Sequence, residues 1–182
     1  MEPLRDTLEA GLFKINPVIH PLGVLLNAGR IEYSRGEFWY YEEGITQSTA
    51  KALEALDKER MEIGKKLKLD LPTIASALHA VGYGPKGDLW ETHKASKGLT
   101  PIKGPVSLNN RYVTEDVPVG LVCWSQLGRQ LGVPTPLMEA TINIAGAIAG
   151  KDYFTSGRTL ERCGIKGMNA DELIKYAKTG RR

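Results

Sequence analysis

The chain has 182 residues, 42% of them apolar and 25% charged, with a formal net charge of +3. That length suits one domain with a sizeable core, and a charge so small and scattered argues against a surface built for nucleic acid. No run approaches the roughly 18 uninterrupted apolar residues of a membrane span, and the opening MEPLRDTLEAG lacks the pattern of a secretory signal. The two cysteines, Cys123 and Cys163, have no C-x-x-C partner and no histidine at ligand spacing. They argue against structural zinc and fit the reduced thiols of a cytoplasmic protein.

Alternating apolar and polar runs are almost absent, and Pro/Gly punctuation separates segments of helical length, so the expected class is all-α. In INPVIHPLGVLLNAGRIE, residues 15–32, His20 lies between Pro17 and Pro21. A helix is expected to start directly after it, which would place the imidazole at the positive end of a helix dipole. After Gly44, the residues Leu53, Leu56, Ile63 and Leu67 recur on one helical face, with Glu54 and Lys58 at i,i+4 on the other. Pro72 opens a segment carrying Ile74, Leu78 and Val81. LNNRYVTEDVPVGL, residues 108–121, sets Arg111, Glu115 and Asp116 in a polar loop before a helix that Gly132 and Pro134 end. Asp116 there suits an N-cap for its own sake. Thr135 and Pro136 start the next helix, whose Ala140, Ala145, Gly146, Ala147 and Ala149 predict close packing. Asn169 and Glu172 are spaced as a capping box for the last helix. Its Lys175 and Lys178, with Arg181 and Arg182, read as a solvated end.

One motif invites a cofactor reading. VGYGPKG, residues 81–87, contains Gly82-x-Gly84-x-x-Gly87, the spacing of a dinucleotide-binding loop. Such a loop needs a buried strand before it, a helix opening on its third glycine, and an acid about 20 residues on. Here a proline-initiated, helix-length segment precedes it, Pro85 removes an amide donor, and no acid lies between Ala95 and Thr114. The expected reading is a turn between two helices.

Taken singly, His20, Asp116 and Arg111 each have an ordinary structural explanation: a packed histidine, an N-cap and a surface cation. In order along the chain, however, stand NPVIHPLGVLLNAGRIE, YYEEGIT, LDKERMEIGKKL, GPVSLNNRYVTEDVPVGLV and GVPTPLMEA…GRTLERCGIKG. Together they resemble the C-terminal catalytic domain of the opine dehydrogenases of the octopine/nopaline type, with the likeness strongest to the bacterial branch typified by formation of N-(1-carboxyethyl)-norvaline. The resemblance runs from about Asp6 to Lys178. It implies a helical domain of the 6-phosphogluconate-dehydrogenase C-terminal type that also makes a homodimer. It further implies a catalytic pair, His20 and Asp116, and a substrate-binding Arg111. The implied reaction condenses an α-keto acid with an amino acid and reduces the resulting imine with NADH or NADPH.

Those residue types suit that chemistry. Histidine moves protons near neutral pH, and a carboxylate on its other nitrogen fixes the tautomer. A guanidinium can grip a substrate carboxylate through two parallel hydrogen bonds. Tyr40, Tyr41, Trp90 and Trp124 could line a pocket or simply belong to the core. The family also implies an N-terminal Rossmann domain for NAD or NADP, and nothing upstream of Asn16 supplies one. The chain is therefore expected to need that domain, fused or separate, for turnover. Two alternatives stay open: a non-enzymatic helical dimerisation or binding module, and a reductase acting on a 2-keto acid without the amine.

Overall fold

The computed structural model describes residues 4–181. In chain order its helices are α1 (Thr7–Phe13), α2 (Asn16–Leu26), α3 (Ala28–Ser34), α4 (Gln47–Lys66), α5 (Ile74–Ala80), α6 (Leu89–Lys94), α7 (Arg111–Thr114), α8 (Val122–Leu131), α9 (Pro136–Ala149), α10 (Tyr153–Ser156) and α11 (Ala170–Thr179). Two π-helical segments interrupt this series, Tyr40–Gly44 before α4 and Asp116–Leu121 running into α8. No strand occurs among the described residues beyond an isolated bridge between Trp39 and Lys103. The all-α expectation therefore holds.

Helix α2 runs through the middle. Every residue from Pro17 to Val24 is buried, and α4, α7, α9 and the second π-segment pack around it. A helix apolar on all sides needs such wrapping. It begins at Asn16, not after His20, with Pro17 in its first turn. The sequence expectation fails here because Pro17 has the fixed φ of a helix start, while Pro21 forfeits only the bond to the Pro17 carbonyl. His20 thus lies inside a helix and not at its dipole end.

Helix α4 is the second organising element. Leu53, Leu56, Ile63 and Leu67 are fully buried, as their spacing predicts. Glu54 does not turn to Lys58; its carboxylate accepts the Leu89 amide at 2.8 Å, at the start of α6. Asp57 accepts the Ile74 amide of α5 at 2.8 Å, and Glu59 accepts Leu137 and Met138 of α9 at 2.8 and 3.0 Å. Three carboxylates of one helix thus satisfy first-turn amides of three others, groups that have no partner within their own helix. Burial pushes the Glu59 carboxyl above the usual range, and its two amide bonds oppose that. Arg60, wholly buried, completes the junction through Asp57 (2.7 Å) and the carbonyls of Leu12 (2.8 Å) and Pro72 (2.7 Å).

The glycine run behaves as its context predicts. Tyr83 and Gly82 donate their amides back to Leu78 and His79, closing α5, and Gly82 takes a φ of +84°. A Cβ on Gly84 would stand 2.1 Å from the Thr92 carbonyl oxygen, so the turn folds tightly onto α6. An Asp88–Glu91 capping box then opens α6. In α9 only Ala145 and Gly146 of the small residues face inward; Ala140, Ala147 and Ala149 are exposed, so the predicted stripe is narrower than its sequence. The Asn169–Glu172 capping box forms on α11. Cys123 and Cys163, forty positions apart in sequence, are free thiols that come together beside Leu12, Trp124 and Leu173 at a cavity of about 500 Å³. Burial and the neighbouring Cys163 push the Cys123 thiol up to about 12. Among the described residues no helix is long and apolar enough to cross a membrane.

Candidate active site

His20 projects from the wrapped part of α2 and is 8% exposed. Its Nδ1 lies 2.8 Å from Oδ2 of Asp116, itself 2% exposed. The 96 intervening residues make this a purely tertiary pairing. Asp116 opens the second π-segment, where the Val122 amide reaches the Val117 carbonyl five residues back. The sequence expectation of an N-cap is corrected. Asp116 makes no capping bond, and the π-turn instead carries its carboxylate to the imidazole. A buried carboxylate accepts but cannot donate, so Nδ1 carries the hydrogen, and in the neutral ring Nε2 then has the lone pair.

That second nitrogen has its own neighbour. The Tyr41 hydroxyl sits 3.3 Å from Nε2, delivered by the first π-segment. Tyr112 covers the ring: the His20 and Tyr112 centroids are 3.9 Å apart at 18°. Its position four residues before Asp116 is the one signal that could have found it, since i and i+4 share a helical face. Tyr40 is wholly buried and points its hydroxyl at the carbonyls of Ile19 and His20, 3.4 Å from each. Room for it comes from Gly23, where a Cβ would lie 2.4 Å from that hydroxyl oxygen. Burial, then the neighbouring Tyr112 and Asp116, hold the Tyr41 hydroxyl well above the usual tyrosine value, so it remains a phenol.

Arg111 starts α7 beside Tyr112 and is exposed, 3.4 Å from Glu115. The ion pair it makes is with Glu115 and not with Asp116, and it is displayed one residue from the ring stacked on the imidazole. Of the remaining aromatic candidates, Trp124 lines the cysteine cavity and Trp90 packs against the core. His93 lies behind Tyr41, rings 5.4 Å apart at 28°. It is fully buried with neither ring nitrogen hydrogen-bonded, and burial lowers it to about 4. No group of three or more potential metal ligands occurs among the described residues.

Comparison with known proteins bears on the family and the fold. Residues 3–149 match the α-helical domain of the NAD/NADP octopine/nopaline dehydrogenases. The chain is 39% identical over 168 residues to an opine dehydrogenase of Arthrobacter sp. (strain 1C), covering 92% of this chain and 46% of that protein. It is 30% identical over 171 residues to vitopine synthase of Allorhizobium ampelinum, covering 93% and 47%. The chain thus spans about half the length of these relatives. Octopine dehydrogenase bound to NADH and L-arginine superposes with a TM-score of 0.64 at 19% identity, over 92% of this chain and 48% of that one, which bears on the fold. With residues 3–149 matched and the helical architecture shared, the chain belongs to the octopine/nopaline dehydrogenase family and corresponds to its α-helical domain.

Proposed function

We propose that this chain is the substrate-handling and proton-transferring part of an opine dehydrogenase, acting on an α-keto acid and an amino acid. The observation that carries the reading is the buried 2.8 Å contact between His20 Nδ1 and Asp116, made by a residue pair with no neighbourhood in sequence. With Nδ1–H held by the carboxylate, Nε2 is the nitrogen free to exchange a proton with substrate. Asp116 then stabilises the imidazolium that results. Forming an imine from a carbonyl and an amine requires such proton movement onto the departing oxygen, and histidine suits it. In this reading Arg111, exposed and paired with Glu115, takes a substrate carboxylate in exchange for it.

The Gly82–Gly87 motif does not have the surroundings of a dinucleotide loop. The one glycine fingerprint is a helix–helix turn closed against Thr92, with no strand before it. Nicotinamide, which supplies hydride when bound, would therefore be held by the portion of the relatives' length that this chain does not span. Calorimetric titration of the chain alone is expected to show no tight NADH binding, and a micromolar complex would contradict this. The test of the function itself is turnover in the presence of a nucleotide-binding half. NADH oxidation should require both a keto acid and an amino acid, and His20→Ala should lower kcat about 10²–10⁴-fold. Oxidation with keto acid alone would point to a simple keto-acid reductase instead. Near-normal turnover of His20→Ala would overturn the assignment.

A further inference from the structure

Both π-helical segments among the described residues converge on one imidazole. The first carries Tyr41, which meets His20 Nε2, and the second carries Asp116, which meets Nδ1. π-Turns cost regular hydrogen bonding and recur where a side chain must be re-aimed at a functional position. Asp116 accounts for one of them. The other has no use in the reading above.

The first π-turn is fixed to α2 from several directions. Asn27, at the end of α2, donates to the carbonyls of Gly23 (2.8 Å) and Gly44 (3.1 Å), tying the turn to the helix that bears His20. The Tyr40 hydroxyl faces the His20 carbonyl. Glu43 accepts the Trp39 amide at 2.7 Å and pairs with Arg30, and Glu42 pairs with Lys94. The Tyr41 ring is clamped between Tyr40, at 5.0 Å and 82°, and His93, at 5.4 Å and 28°. Its hydroxyl therefore has little freedom except to rotate its hydrogen.

We propose that Tyr41 is a positioning residue for His20, its hydroxyl holding Nε2 in both protonation states so that the ring does not turn during proton transfer. This rests on His20 being the proton-transferring group. In the neutral ring Tyr41 donates to the Nε2 lone pair. When substrate approaches, the Tyr41 hydrogen first swings aside towards Tyr112 and frees the lone pair; Nε2 then takes the substrate proton, and the new N–H is shared between the substrate atom that gave it and the Tyr41 oxygen. One proton passes from substrate to His20 and none is gained or lost by Tyr41. Without the hydroxyl, the second ring nitrogen of buried His20 would lose its protein partner in the resting state.

The conservative variant Tyr41→Phe keeps the ring that packs on Tyr40 and His93, and two readouts decide the matter. In ¹⁵N NMR of this chain, which needs no turnover, the Nε2 resonance of His20 should move towards that of an unbonded lone pair. Tyr40→Phe, whose hydroxyl faces only carbonyls, should leave it in place. In turnover with a nucleotide-binding half, Tyr41→Phe should lower kcat about tenfold with KM changed less than twofold. An unmoved Nε2 resonance, or an unchanged kcat in the variant while His20→Ala is inactive, overturns the role of Tyr41 alone. An active His20→Ala overturns the underlying reading, whatever the resonance does.

Discussion

On α4 the buried carboxylates of Asp57 and Glu59 end on backbone amides of neighbouring helices, whereas on α2 the buried imidazole of His20 ends on the side chains of Asp116 and Tyr41. An amide at a helix start cannot turn away without unravelling that turn, so a carboxylate held by it is fixed for the life of the fold. A hydroxyl can reverse its role from donor to acceptor by rotating one bond. Burial and polarity alone therefore do not separate a structural junction from the proposed reactive site. The identity and mobility of the partners do.

Breaking α4 should be costly in stability. Asp57→Ala strands the wholly buried Arg60 with two carbonyls and no counter-charge, and should destabilise by about 3–5 kcal/mol in urea unfolding. A loss under 1 kcal/mol would mean the junction is not what joins α1, α4 and α5.

His93 sharpens the comparison, being a buried imidazole with no reversible partner. Its folded value of about 4 lies below the roughly 6.5 of an unfolded histidine. The unfolded chain alone takes up the proton between these values, so this stability is present above pH 6.5 and lost as the pH falls to about 4. The total is about 3 kcal/mol. His93→Phe, which keeps a ring against Tyr41, should flatten that part of the stability–pH curve relative to the parent chain. A parallel pair of curves would show that His93 finds a partner in solution.

The smallest effect expected concerns Glu54, which caps α6 from a half-exposed position. Glu54→Gln should cost about 1 kcal/mol and leave any turnover unaltered.

Much of this was legible in the sequence, for reasons that divide along the same line. The apolar face of α4, the caps of α11 and the helix–helix turn at Gly82 follow from local spacing and local chemistry, and they appear as expected. The pairing of His20 with Asp116 was named through family resemblance, because spacing cannot show two residues 96 positions apart to be neighbours. Tyr41 stood among several aromatics with nothing to single it out. The start of α2 lies earlier than expected because Pro17 suits a first helical turn and Pro21 costs a single backbone bond, and the capping roles of Glu54, Asp57 and Glu59 are hidden because each partner lies on another helix. Neither π-turn has a sequence signature of its own. Asp116 looked like an N-cap because the backbone that re-aims it exists only when α2 and α9 are packed against it.

The measurement closest to the central claim is turnover of Asp116→Asn in the presence of a nucleotide-binding half, with thermal unfolding recorded on the same preparation. The amide is nearly isosteric, so the fold should survive with Tm lowered by a few degrees. Losing the carboxylate that orients Nδ1–H and steadies the imidazolium should still lower kcat about 10²–10⁴-fold. A variant that folds and turns over within about twofold of the parent would contradict the account.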